Sequence, residues 1–128
     1  MTLLSLLLVT KILITLGVVI LPFLFFKTAT LDRLAGFGTP NAAFYRLYGM
    51  AILALVVAYT GGLLQTFQGL YPGTIVAMGL VSNVGAATVM VLTGYARKQV
   101  PLALFFGLVG VGFILAVLFP AAAMTEVL

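Results

Sequence analysis

The stretch "LSLLLVTKILITLG", residues 4–17, decides how this chain is read. Every residue in it except Lys11 is apolar, hydroxyl-bearing or glycine, and the apolar run goes on to Phe26 without another charge. As a helix rising 1.5 Å per residue, residues 3–26 extend about 36 Å, somewhat more than the roughly 30 Å hydrocarbon core of a bilayer. The same pattern recurs three times. Further apolar stretches cover about 42–64, 73–94 and 102–123. Each is long enough to cross a membrane as a helix and about twice the length that a barrel strand needs.

Composition agrees. Hydrophobic residues make up 64% of the 128 positions and charged residues 6%, against about 25% charged in a typical soluble domain. A chain of this size has too few charges to cover a soluble surface. The expected fold is all-α: an integral membrane four-helix up-down bundle in one transmembrane domain, 1–128. No cation precedes Lys11 and no A-x-A site follows the first stretch, so that stretch is expected to be a retained span rather than a signal peptide.

The connections carry the punctuation. In "KTATLDRLAGFGTPN", residues 27–41, Thr30 is expected to cap one interfacial turn over 31–35, with Gly36 as the left-handed residue that ends it. Thr39 followed by Pro40 fits a second N-cap, opening span two. "LQTFQGLYPG" (64–73) is uncharged, and Pro72 opens span three; Pro101 in "GYARKQVP" (94–101) opens span four. Three short loops make sequential helices antiparallel neighbours.

Charge sets the expected orientation. Loops one and three, with the adjoining turns, hold Lys27, Arg33, Arg46, Arg97 and Lys98 against Asp32 alone, and loop two holds no charge. The positive-inside rule puts loops one and three in the cytoplasm and both termini in the periplasm of a bacterial inner membrane. The five cations are expected to face anionic lipid. Tyr45, Tyr48 and Tyr95 would belt the inner interface and Tyr71 the outer one. Cations spread over two loop regions do not make a nucleic-acid patch.

Lys11 is the one charge inside an apolar run. It lies about 12 Å along the axis from Leu3, so its four-carbon stem is expected to carry the ammonium out to the headgroups at the outer interface. Two other readings compete: a pair with Glu126 or the carboxylate of Leu128, and a functional cation lining a solvent path or an anion site. In "GLVSNVGAATVM" (79–90), Asn83 falls near mid-span, where an unsatisfied amide is costly. It is expected to make an interhelical hydrogen bond or a ligand contact, with Ser82 beside it as a weaker candidate. Small residues at helical spacing (Ala54, Ala58 and Gly62; Gly79 and Asn83; Ser82 and Ala86; Ala103 and Gly107; Gly112 and Ala116) fit close helix packing.

Chemistry is restricted. With no cysteine and no histidine, thiolate, imidazole and disulfide chemistry are absent. Asp32 and Glu126, the only acidic side chains, fall on opposite faces in this topology, so no carboxylate pair forms. "GFGTPN" (36–41) lacks both phosphate-loop patterns. No catalytic residue, metal or cofactor is expected. The leading functional expectation is a non-catalytic accessory or scaffold subunit of a larger membrane assembly, its partners being lipid and other membrane subunits or further copies of itself. The alternative is a small pore, carrier or lipid-binding module with its polar site around Asn83.

Overall fold

The computed structural model describes residues 1–38 and 41–128. The described residues form helices and loops with no strand, only a single backbone bridge between Thr2 and Glu126. Four helices are long and apolar enough to cross a membrane: α1 (Leu3–Phe25), α3 (Ala42–Phe67), α4 (Gly73–Leu92) and α5 (Val100–Leu118). Between the first two lies the short helix α2 (Thr28–Ala35). After the last comes one further turn, α6 (Pro120–Ala123).

Local chemistry explains most of the boundaries. Thr2 caps α1 by accepting from the Ser5 amide, and Asn41 caps α3 by accepting from the Ala43 amide, each relieving one orphan donor of a first turn. The expected cap at Thr39 and Pro40 lies outside the described residues. Helix α2 begins at Thr28, earlier than the turn expected after Thr30, and ends at Gly36 with φ +70°, a conformation that favours glycine. Gly94 takes the same left-handed form after α4. The expected fourth stretch runs to residue 123, but α5 stops at Leu118. Phe119 precedes Pro120, whose ring disfavours α backbone in the residue before it, and Phe119 sits at φ −130°, ψ 63°.

Helix α1 is not regular. Residues Thr15–Ile20 form a π-helical stretch, with the Leu21 amide bonding to the Leu16 carbonyl five residues back. Pro22 lacks an N–H, and its ring crowds the carbonyl four residues earlier. The wider π turn relieves that crowding immediately before the proline.

The four long helices pack as two hairpins. Helix α1 lies against α3 along its length, and α4 lies against α5. Contacts between the hairpins are sparser: α1 meets α5 and the α6 turn, and α3 meets α4. At the end holding the chain termini, a cluster of Leu4, Leu8, Tyr59, Val76, Val109 and Phe113 forms the main core. Glycines make the approach possible there. A Cβ on Gly79 would stand 2.4 Å from the Phe113 ring, and one on Gly62 would stand 2.6 Å from Ile75. The Leu3 amide donates to the Thr125 carbonyl and the Val127 amide to the Met1 carbonyl, which joins the terminal segments by backbone alone. At the opposite end, the Tyr95 hydroxyl donates to the Ala35 carbonyl. Gln99 Nε2 donates to the Leu34 carbonyl at 2.8 Å, and Phe37 stacks on Tyr95 with ring centroids 5.1 Å apart. Between the cation-rich end and the Lys11–Asn83 and Tyr59–Ser82 contacts, the hairpins are separated by an open volume.

Candidate functional site

The gap between the hairpins is a cavity of about 750 Å³. Its walls are mostly apolar, with Val18 and Phe23 from α1, Ile52 and Leu55 from α3, and Leu102 and Phe105 from α5 among them. Leu31, Leu34 and Ala35 of α2 close it toward the cation-rich end. A smaller recess of about 540 Å³ adjoins it there, sharing Phe37, Tyr48 and Phe106 and reaching Lys98. Polar residues line both ends of the main cavity: Tyr48, Tyr95 and Gln99 near α2, and Lys11, Thr15, Tyr59 and Ser82 at the other end, which holds the only charge in the lining among the described residues.

Lys11 turns inward. Its side chain is 5% exposed, and Nζ donates to Asn83 Oδ1 at 2.7 Å. The ammonium also lies over the faces of Phe105 and Phe106, 4.7 and 4.8 Å from their centroids. Each such contact is worth about 0.5–2 kcal/mol, more when desolvated. This corrects the expectation of an outer-interface lysine reaching for headgroups. The pairing with Glu126 is also not made. Glu126 is exposed, and its backbone bridges Thr2 at the terminal end of the bundle. Asp32, the other acidic side chain, accepts from the Tyr45 hydroxyl near α2. Among the described residues, no carboxylate balances the Lys11 charge.

Asn83 organises the other side of the contact. It is fully buried. Its Nδ2 donates to the Gly79 carbonyl at 2.7 Å and stands 3.3 Å from Tyr59 Oη and 3.2 Å from Ser82 Oγ. Tyr59 Oη and Ser82 Oγ are 2.9 Å apart. With the amide hydrogens facing Gly79 and Tyr59, the amide oxygen faces the ammonium, the only arrangement in which a cation meets an acceptor. One asparagine on α4 thus joins α1 and α3.

The ammonium carries three donors, and Asn83 takes one of them. One turn along α1, on the same face, Thr15 begins the π stretch. Its side chain is 4% exposed, and Oγ1 has no hydrogen-bond partner among the described residues. Such a hydroxyl within a helix ordinarily bonds back to a carbonyl of the preceding turn. Short π segments frequently mark functional sites. The pole of the cavity therefore presents unspent donors and a positive charge beneath an apolar chamber. It has the chemistry to hold an acceptor with a hydrocarbon body.

The remaining expected positions separate. Lys27, Arg33, Arg97 and Lys98 are exposed. Arg46 is not a free lipid-facing cation: its guanidinium donates to the Phe23 carbonyl and, at 2.7 Å, to the Phe26 carbonyl, capping the end of α1. Tyr45, expected in an interfacial belt, is fully buried under Phe23, Phe37 and Phe44. Tyr71 donates to the Ala116 carbonyl at 2.8 Å, and burial raises its pKa above the ordinary tyrosine value. Tyr59, Thr15, Phe105 and Phe106 belong to the site, yet the sequence reading does not single them out. One signal was present: a mid-span tyrosine hydroxyl incurs the same desolvation cost that draws attention to Asn83.

Fold and site together describe a helical bundle of four membrane-length helices with a charged pole inside an apolar cavity. No protein-family model matches the sequence, and neither a curated protein nor a solved structure does.

Proposed function

We propose that this chain is an integral membrane protein that binds one amphiphilic molecule between its two helical hairpins, polar group at Lys11 and hydrocarbon along the cavity. The observation that carries this reading is the inward-turned lysine. A buried charge is costly unless it is paired, and here it faces a 750 Å³ apolar chamber with donors to spare. That volume lies within the roughly 300–1,000 Å³ range of small-molecule sites. The role is one of binding and carriage, and it uses no covalent step. The cation bias of loops one and three supports an inner-membrane placement with both termini periplasmic.

Native mass spectrometry of the protein extracted in mild detergent tests the reading. One lipid-sized adduct per chain is expected. It should be lost in Ala86→Trp, which fills the cavity from α4 where Ala86 lines it. A stoichiometric protein partner with no small-molecule adduct would instead support an accessory subunit and sink the proposal.

A further inference from the structure

We infer that the molecule held in this cavity is a single-chain carboxylate amphiphile, a long-chain fatty acid or a relative of one, with its carboxylate between Lys11 and Thr15. This rests on the amphiphile-binding reading above and names the head group.

The charge argument comes first. Lys11 is a buried cation whose one hydrogen-bond acceptor, Asn83, is neutral. Neither Asp32 nor Glu126 lines the cavity. A ligand bringing one negative charge converts an isolated buried cation into a buried pair, whereas a neutral head group leaves the charge uncompensated. The donor count comes second. Tyr59, Ser82 and Asn83 spend their hydrogens on one another and on the Gly79 carbonyl, through contacts of 2.7–3.3 Å. Two ammonium hydrogens and the Thr15 hydroxyl remain, on neighbouring turns of one helix face. Three donors suit the two oxygens of a carboxylate, which accept several hydrogen bonds. A phosphate monoester carries about 1.5–2 negative charges, and one lysine would leave it underneutralised. The chamber comes third. From Lys11 to Phe23 it follows α1 for about 18 Å, walled by aliphatic and aromatic side chains, a length suited to one hydrocarbon chain lying along the helix.

The purified full chain in maltoside micelles provides the test. It has no tryptophan and five tyrosines, and Tyr59 lies in the cavity wall. Energy transfer from tyrosine to cis-parinarate, a fluorescent polyene carboxylate, therefore reports a probe close to the protein, and the part of it lost when Ala86→Phe fills the cavity reports a probe inside the bundle. Palmitate should displace it about tenfold better than cetyl alcohol, the loss expected for one hydrogen bond to a charged group, and better than hexadecyl phosphate. Lys11→Met should remove that preference. Thr15→Val, which leaves the lysine in place, should weaken palmitate several-fold; it carries the test if the lysine variant fails to fold. Equal displacement by palmitate and cetyl alcohol, or preference for the phosphate, overturns the carboxylate while leaving amphiphile binding intact. Energy transfer that is absent, or unchanged in Ala86→Phe, which fills the cavity without adding a tryptophan donor, overturns both.

Discussion

Asn83→Leu is the most informative single change in this bundle. Leucine is similar in size and more apolar, so insertion into a membrane is not impaired. What is lost is the acceptor 2.7 Å from the Lys11 ammonium. The Tyr59 and Ser82 hydroxyls keep each other as partners. Three magnitudes compete. Interhelical hydrogen bonds between neutral groups in membranes average about 0.6 kcal/mol. Hydrogen bonds to charged groups contribute about 1.5–3 kcal/mol. Stranding one member of a buried ion pair costs about 3–5 kcal/mol. The second applies here, because the ammonium is charged, its partner is neutral, and two phenylalanine faces remain over it. Asn83→Leu should therefore destabilise the fold by about 2–3 kcal/mol. Lys11→Met keeps the aliphatic stem and removes the charge, so it should cost no more than about 1 kcal/mol. The two together should cost about 1 kcal/mol, less than their sum by about 2 kcal/mol, because neither change then strands a partner. Reversible unfolding in mixed micelles, followed by far-ultraviolet circular dichroism, gives all four corners of this cycle. If the two effects add within about 0.5 kcal/mol, the contact contributes nothing and the site loses its central interaction.

Three other outcomes follow from the geometry. Gly79→Ala should destabilise by about 1–3 kcal/mol, because its Cβ would meet the buried Phe113 ring, which also stacks on Tyr59 at 6.0 Å; Gly85→Ala meets nothing within 4 Å and should be near neutral in the same unfolding assay. Tyr95→Phe removes the donor to Ala35 and should speed hydrogen exchange of the α2 amides. Burial, with a contribution from Tyr48, raises the Tyr95 pKa above its ordinary value, so the tie persists past about pH 10 and is lost as pH rises through the raised value, a transition that exchange measurements should find absent in Tyr95→Phe. A cysteine placed at Gln68 should react with an impermeant reagent from outside the cell and one at Lys98 should not; the reverse pattern rejects the proposed orientation.

How much of this was legible in the sequence differs by feature. Helix type follows from runs of about 20 apolar residues, a signal that tolerates errors of a few positions. The end of α5 at Phe119 is a local effect of Pro120 and was readable in principle. The direction of Lys11 was not. Position along a helix gives depth, but it does not give the side of the helix; Lys11 and Thr15 share one face while Thr10 puts a hydroxyl on another, so polarity alone does not mark which side meets protein. A four-carbon stem serves either direction. Reading Lys11 by depth alone pointed it at the headgroups. Its partner is 72 residues away in sequence on another helix, and pairing them requires the helix rotations that only packing supplies. Arg46 illustrates the same limit: its charge suits a cytoplasmic loop, while its position over the C-terminal end of α1 turns it into a cap.

The placement of polar residues separates a packing lysine from a binding one. Where helices approach most closely, the chain uses small or apolar residues: Gly62 against Ile75 and Gly112 against Leu7 between the hairpins, and Gly79 against Phe113 within one of them. Beside the open volume it places Lys11, Thr15, Tyr59 and Ser82; Lys11 meets Asn83 and Tyr59 meets Ser82 across the hairpins, while the Thr15 hydroxyl has no partner among the described residues. For stability alone, the reverse would serve better. Replacing buried charged groups with well-packed apolar ones is often neutral or stabilising, and filling a cavity recovers lost contacts. The unspent donors at Lys11 and Thr15 are costs in the empty bundle that an acceptor would relieve. On that reasoning Lys11→Met should cost the fold no more than about 1 kcal/mol, and a side chain that fills the chamber should leave it intact or firmer, while either removes its ligand. A lysine kept only for packing would show the opposite, with a larger loss of stability and binding unchanged.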